Sequence, residues 1–264
     1  MPDLITFPPG VLGAEPLRLP VLNRGEGWFA IDKPPGLPLA PDAFHPDDAP
    51  SIVGAIHAAA TAGKPQLAAL GIGGCSRIHS LDAEIGGAAV LASTEESAAL
   101  LRNHIGSARW DFTYDLVTEA HDGPEEIVCE LPLVRHEELP RMLVSHREGK
   151  RCRTTFRLVQ RLGRYALWQA STHENRPHQV RVHASECDLR IVGEFLYARV
   201  RQVFLSSLKR RYRPGRDEER PLHPGLALHL RSVRSLPGSR PEIIAESPRP
   251  KSIATLIRRL DECA

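Results

Sequence analysis

The sequence predicts an α+β fold, and three observations carry that reading. Apolar runs of strand length are mixed with helical segments, without the strand–helix–strand rhythm that builds a parallel sheet. The chain has 264 residues, 42% of them hydrophobic, which is ample for one large core or two small ones. No stretch approaches the ~20 continuous apolar residues of a membrane span, and no internal repeat or mid-chain linker stands out.

Eleven of the 23 prolines fall in residues 1–50, so 1–20 reads as an extended lead-in and Pro34–Pro50 as an irregular crossing. Between them, Trp28–Ile31 is a short apolar run suited to a buried strand. Ser51–Ala62 reads as a helix with Ser51 as its N-cap, Gly71–Ser80 as a glycine-rich loop, and Thr94–Ile105 as a helix capped by Thr94 after the apolar Ala88–Ala92. Asp111–Thr118 alternates as a strand that puts Phe112, Tyr114 and Leu116 on one face. Arg151–Val159 and Tyr165–Ser171 read as an antiparallel pair turning at Gly163. A helix is expected over Pro177–Cys187 with proline in its first turn, then a short apolar Ile191–Tyr197. Leu226–Val233 is the last strand and Ser252–Cys263 a terminal helix. These elements divide the chain into a lead-in (1–27), a catalytic domain (28–237) and a C-terminal extension (238–264).

The formal charge of +2 conceals an asymmetry. Residues 1–132 hold 7 basic and 18 acidic side chains, a net −11; residues 133–264 hold 27 and 14, a net +13. Only Lys150, Lys209 and Lys251 of those 27 are lysine, and arginine suits phosphate forks and base stacking. The five cysteines are widely spaced with no CxxC pair, which excludes a disulfide framework or zinc ribbon. The first residues, MPDLITFPPG, lack a charged region followed by an apolar one, so a cytoplasmic protein is expected.

Two segments carry candidate chemistry. In Arg77-Ile78-His79-Ser80-Leu81-Asp82-Ala83-Glu84-Ile85-Gly86-Gly87, Asp82 lies between a glycine-rich loop and a glycine pair, where backbone can approach a ligand closely. In Asn175-Arg176-Pro177-His178-Gln179-Val180-Arg181-Val182-His183, His178 and Arg181 lie three apart on one helical face, and Arg181 is offered to a carboxylate or phosphate as a fork. His178 and His183 are five apart, a spacing that does not share a face, so no metal site is expected.

In order, Ile31-Asp32-Lys33-Pro34, His79-Ser80-Leu81-Asp82, Tyr114, Asn175 through His183, Gly193-Glu194-Phe195-Leu196-Tyr197 and Leu228-His229-Leu230 resemble the motifs of the RluA family of pseudouridine synthases, across roughly residues 28–237. The resemblance is to the shorter members, in which no S4 RNA-binding domain precedes the core. It implies a mixed, largely antiparallel central sheet with flanking helices and a catalytic cleft. It also implies isomerisation of a uridine in structured ribosomal or transfer RNA to pseudouridine, by a monomer with no cofactor, no metal and no membrane. Asp82 would act at the sugar, Arg181 would hold Asp82 by a forked pair, and Tyr114 would stack on the flipped uracil and assist loss of its C5 proton. His79, Ser80, Arg176, His178 and Gln179 would contact RNA. Ser80 stands where the family has an arginine that fills the space left by the flipped base, and Ile85-Gly86 where it has Thr-Ser. Asn175 replaces a glycine and Glu194-Phe195 an Asp-Pro. A catalytically inactive, RNA-binding relative is the alternative these departures suggest. Arg199–Arg220 carries eight basic residues, and Lys209, Arg210, Arg211 and Arg213 are expected to grip RNA backbone beside the cleft.

Overall fold

A computed structural model describes residues 3–42, 44–45, 49–209, 211–213 and 218–264. In chain order the strands and helices are β1 (Leu4–Phe7), β2 (Leu17–Gly25), β3 (Trp28–Lys33), α1 (Ile52–Thr61), α2 (Pro65–Ala69), β4 (Ser76–Arg77), β5 (Gly86–Ala92), α3 (Glu95–Gly106), β6 (Trp110–Glu119) and β7 (Glu126–Cys129). They continue as β8 (Leu133–Arg135), β9 (Met142–Val144), β10 (Thr154–Leu162), β11 (Tyr165–Thr172), α4 (Gln179–Glu186), α5 (Leu205–Leu208), β12 (Leu228–Ser235), β13 (Ile244–Glu246) and α6 (Lys251–Glu262).

Eleven strands form one sheet in the order β1-β2-β3-β5-β12-β6-β11-β10-β7, with β4 on β5 and β13 on β12; β8 and β9 make a separate hairpin. Among the described residues the β5–β12 pairing is parallel and the others are antiparallel, so the sheet is mixed and the α+β expectation holds. Residues 4–25, read from their prolines as a lead-in, instead form the β1–β2 hairpin, and β2 pairs with β3. Pro20, which lacks an N–H, sits within β2 opposite Leu4 of β1 and just before the β2–β3 pairing begins at Val21, so no β3 carbonyl is aligned to need its N–H.

The sheet has two packed faces. Trp110, Phe112, Tyr114 and Leu116, every second residue of β6, join the main core with β3 and β5. Val117 turns to the other face and packs with Leu167 and with Ile253, Leu256, Ile257 and Leu260 of α6. That i, i+3, i+4, i+7 spacing is the apolar stripe that makes α6 a helix on this sheet, and each such buried side chain contributes roughly 1.5–3 kcal/mol.

The caps read from sequence are present: Ser51 accepts from the Gly54 N–H and Thr94 from the Ser97 N–H. Helix α4 begins two residues later than expected, at Gln179, because His178 takes a left-handed conformation (φ 52°). The pair Gly86–Gly87 serves the sheet rather than a ligand: a Cβ on Gly87, at φ 136°, would lie 2.2 Å from the Leu230 carbonyl oxygen of β12. No described helix is long and apolar enough to cross a membrane.

Candidate active site

Asp82 lies on the loop between β4 and β5, and Lys33 braces that loop from beneath. Lys33 ends β3 and is 1% exposed. Its ammonium donates to the carbonyls of Pro34, Ala83 and Ile85 at 2.9, 3.1 and 2.8 Å, one proton for each acceptor. Burial pushes the Lys33 pKa down to about 7, against the pull of the Asp82 and Glu84 charges.

Helix α4 brings Arg181 up to this loop, but the fork expected on Asp82 closes on another acid. Arg181 Nε and Nη2 donate to Glu194 at 2.7 and 3.1 Å, and Glu194 is 1% exposed. The remaining nitrogen, Nη1, reaches Asp82 Oδ2 at 3.4 Å and Glu84 Oε2 at 3.3 Å. Burial works against the charge on Arg181, but its hydrogen bonds to Glu194 and the charges of the three carboxylates outweigh it and push its pKa up. Glu194 Oε1 also accepts from the backbone N–H groups of Leu196 and Tyr197, at 2.8 and 3.3 Å. The His178 N–H, at the start of α4, donates to Asp82 Oδ1 at 3.3 Å. Asp82 therefore faces a guanidinium on one oxygen and a helix-end N–H on the other.

Tyr114 comes from β6 and points at the same loop. Its hydroxyl donates to Asn175 Oδ1 at 2.8 Å, and Asn175 Nδ2 donates to the Ser80 carbonyl at 2.7 Å. Asn175 sits at φ 45°, the left-handed conformation that its substitution for glycine allows. Tyr114 and Asp82 share a small void of about 10 Å3 with Ile85 and Arg181. Burial, then the Asp82 charge, pushes the Tyr114 pKa far up, so the phenol is neutral.

The cleft itself is a cavity of about 410 Å3 whose wall includes Phe44, Arg77, Ser80, Asp82, Lys150 and His178. The His178 ring stacks on Phe44 with centroids 4.5 Å apart, and its Nδ1 meets the Tyr197 hydroxyl at 2.6 Å. Tyr197 also accepts from the Met142 N–H at 2.9 Å. Burial lowers the His178 pKa, with Asp82 opposing.

Of the side chains expected on RNA, Ser80, Arg176 and His178 line the cavity. His79 and Gln179 do not, because their polar atoms are committed inside. His79 Nε2 accepts from the Val90 N–H at 3.0 Å, so Nδ1 carries the proton and donates to the Ser80 carbonyl at 3.0 Å. Gln179 donates to the Arg153 carbonyl, Thr154 and Thr172, and accepts from the Arg176 N–H. Lys209, Arg211 and Arg213 are exposed, and Arg210 lies outside the described residues. No described residue of 199–220 lines the cavity, and Leu208 packs on the α6 side of the sheet, the face opposite Tyr114. His183 bonds Thr154 and the Leu131 carbonyl, away from His178. Among the described residues no group of three His, Cys, Asp or Glu side chains is arranged to hold a metal. Sequence reasoning missed Lys33, Glu194, Asn175 and Tyr197 as parts of the site, although all four stand inside the motifs and two of them at departures from the family pattern.

Residues 27–186 match the family model described as RNA pseudouridylate synthase. An uncharacterized RNA pseudouridine synthase of Synechocystis sp. is 31% identical over 75% of this chain and 59% of its own length. A ribosomal large subunit pseudouridine synthase D of Zymomonas mobilis is 27% identical over 89% of this chain and 71% of its own length. The chain thus spans about six-tenths of the first of these relatives. The solved structure of human RNA pseudouridylate synthase domain containing 4 superposes with a TM-score of 0.67 over 91% of this chain and 92% of that one, at 21% identity, which speaks to the fold alone.

Proposed function

The chain belongs to the RNA pseudouridylate synthase family, and on that premise we propose that it isomerises a specific uridine in structured RNA to pseudouridine, acting as a cytoplasmic monomer. The observation that carries the reading is Asp82: a carboxylate 8% exposed, at the wall of a 410 Å3 cavity, with Arg181 at 3.4 Å. A cavity of this size falls within the ~300–1,000 Å3 of small-ligand clefts and holds an extruded nucleotide.

The reaction breaks the N1–C1′ bond of uridine, turns the uracil, joins C5 to C1′, releases the C5 proton to solvent and takes one up at N1. Atoms are conserved, so no redox partner is needed. Asp82 acts at the sugar, as nucleophile at C1′ or as base at the 2′ position, while the N1–C1′ electron pair leaves on the uracil. Arg181 holds the carboxylate toward the cavity and offsets the charge it shares with Glu84. The Tyr114 ring flanks the turning base. Because burial keeps its phenol protonated and Asn175 fixes it, Tyr114 positions the uracil rather than removing the C5 proton. The ribosomal large subunit named for the Zymomonas relative makes ribosomal RNA the first substrate to test, before transfer RNA.

The deciding experiment uses RNA labelled with tritium at uridine C5, purified from cells lacking the gene, because rejoining at C5 releases the label. Wild-type protein releases tritium; Asp82→Asn keeps its fold and its RNA affinity and releases none. Tritium release by Asp82→Asn at the wild-type rate sinks the mechanism, and an inert wild type points to the non-catalytic alternative.

A further inference from the structure

Base flipping leaves a hole in the RNA stack, and the unstacked state costs a few kcal/mol unless something fills it. Ser80, at the cavity wall beside Asp82, is too short to do so. The same wall carries other cations, and their surroundings separate them. Arg176 spends its guanidinium on the Arg151 carbonyl, with Nε and Nη2 at 3.2 and 3.1 Å. Arg135 lies over the Phe44 ring, 6.0 Å from its centroid. Lys150 is a compact ammonium that pairs with phosphate but cannot stack. Arg77 differs from all three. It lies on β4, half-buried, three residues before Ser80, with its backbone fixed by pairing to Leu91 of β5. Arg77 lines the cavity, and its guanidinium has no hydrogen-bond or ion-pair partner among the described residues.

We propose that Arg77 supplies what Ser80 lacks: its planar guanidinium enters the gap left by the extruded uridine, stacks on the neighbouring bases and forks onto the adjoining phosphate. The inference rests on the proposed isomerase activity. A planar, partner-free cation on a backbone fixed by strand pairing suits that task, since it gives up no internal bond on binding. The strand also carries the chain directly into the Asp82 loop, so the filler and the reacting carboxylate keep a fixed relation.

The experiment compares wild type, Arg77→Ala, Arg77→Gln and the double variant Arg77→Ala/Ser80→Arg on the C5-tritiated total RNA described above, in single turnover at saturating protein. Thermal unfolding is followed in parallel. Arg77→Ala and Arg77→Gln are expected to slow tritium release by about 10- to 100-fold, the loss of one stacking contact, with unfolding unchanged. Ser80→Arg in the Arg77→Ala background is expected to recover most of that rate, because an arginine returns to the cavity from three residues away. An unchanged rate in both single variants, with wild type active, overturns the assignment and leaves the isomerase reading standing. A slowed rate that Ser80→Arg does not recover also overturns it, since the defect then lies elsewhere than in filling the gap. An inert wild type overturns both readings together.

Discussion

Arg181 is held by Glu194, and it touches Asp82 with what is left. The fork uses Nε and Nη2, at 2.7 and 3.1 Å, and leaves Nη1 to face the Asp82 loop. Glu194 is in turn fixed by the Leu196 and Tyr197 N–H groups, so the turn after α4 sets the angle of the guanidinium. The buried pair thus leaves Asp82 outside the fork. It offers one cationic nitrogen to Asp82 and keeps the other two occupied, so that, on the proposed mechanism, Arg181 does not close a bidentate pair with the reacting carboxylate.

Glu194→Gln tests this arrangement. The amide cannot accept at both positions, and Arg181 keeps only Asp82 and Glu84 as anionic partners. The expected loss of stability is about 3–5 kcal/mol, the usual cost of breaking a buried ion pair from one side. The single-turnover rate should fall with RNA affinity unchanged, because Glu194 is 1% exposed and acts through Arg181. Urea unfolding and single-turnover tritium release check the two effects. A variant as stable and as fast as wild type would show that Arg181 needs no fork.

Tyr114→Phe removes the proton donor to Asn175 and leaves Asn175 Oδ1 buried without its 2.8 Å partner. The expected cost is about 1–3 kcal/mol. Since Asn175 also holds the Ser80 carbonyl, the loop should loosen and the rate fall, while the pH dependence of the rate keeps its wild-type shape. A pH limb that disappears in Tyr114→Phe would instead make the phenol a titrating base.

Much of this was legible in the sequence, and the reasons for the gaps are physical. The alternation Phe112, Tyr114, Leu116 identifies β6 because these side chains enter the main core while Asp111 and Thr113 between them are only part-buried. The caps Ser51 and Thr94 were readable because N-capping is local. The β1–β2 hairpin is masked by prolines that fall in its connecting segment and at Pro20, outside the β2–β3 register. Residue order picks out Asp82, Tyr114 and Arg181, which the fold brings together, but not the partner of Arg181, since Glu194 lies 13 positions away and the fork depends on tertiary approach. The internal hydrogen bonds of His79 and Gln179, expected on RNA, are unreadable for the same reason. Polar residues inside a motif give no sign, in one sequence, of whether they face a ligand or the protein's own backbone.

His229 and His79 make the protein acid-sensitive. Burial pushes both down to about 4, from the usual 6.5. Between those values the unfolded chain holds a proton on each that the folded chain does not, so stability rises with pH across the window. It is fully present above about 6.5 and is lost as pH falls toward 4, at about 1.4 kcal/mol per pH unit for each histidine. His229 shows why: Ser247 Oγ donates to Asp32 and therefore accepts from His229 Nε2, and Nδ1 is buried with no partner for a second proton. His229→Gln should flatten the acid limb of urea stability by one proton. An unaltered slope would place the titration elsewhere.

Lys33 should produce opposite trends in rate and stability. Its folded pKa of about 7 lies below the ordinary 10.5, so between these values the unfolded chain binds the extra proton and stability rises with pH. Over the same range the neutral amine keeps two N–H donors for three carbonyls, and one of Pro34, Ala83 and Ile85 loses its partner. The loop that presents Asp82 is then less firmly held, and the single-turnover rate should fall as pH rises through about 7 while the urea midpoint climbs. Lys33→Met removes the titrating group, so both slopes should flatten and the rate should sit at or below the alkaline value of wild type throughout. If the rate and the urea midpoint of wild type instead rise together above pH 7, the ammonium is not what holds the Asp82 loop.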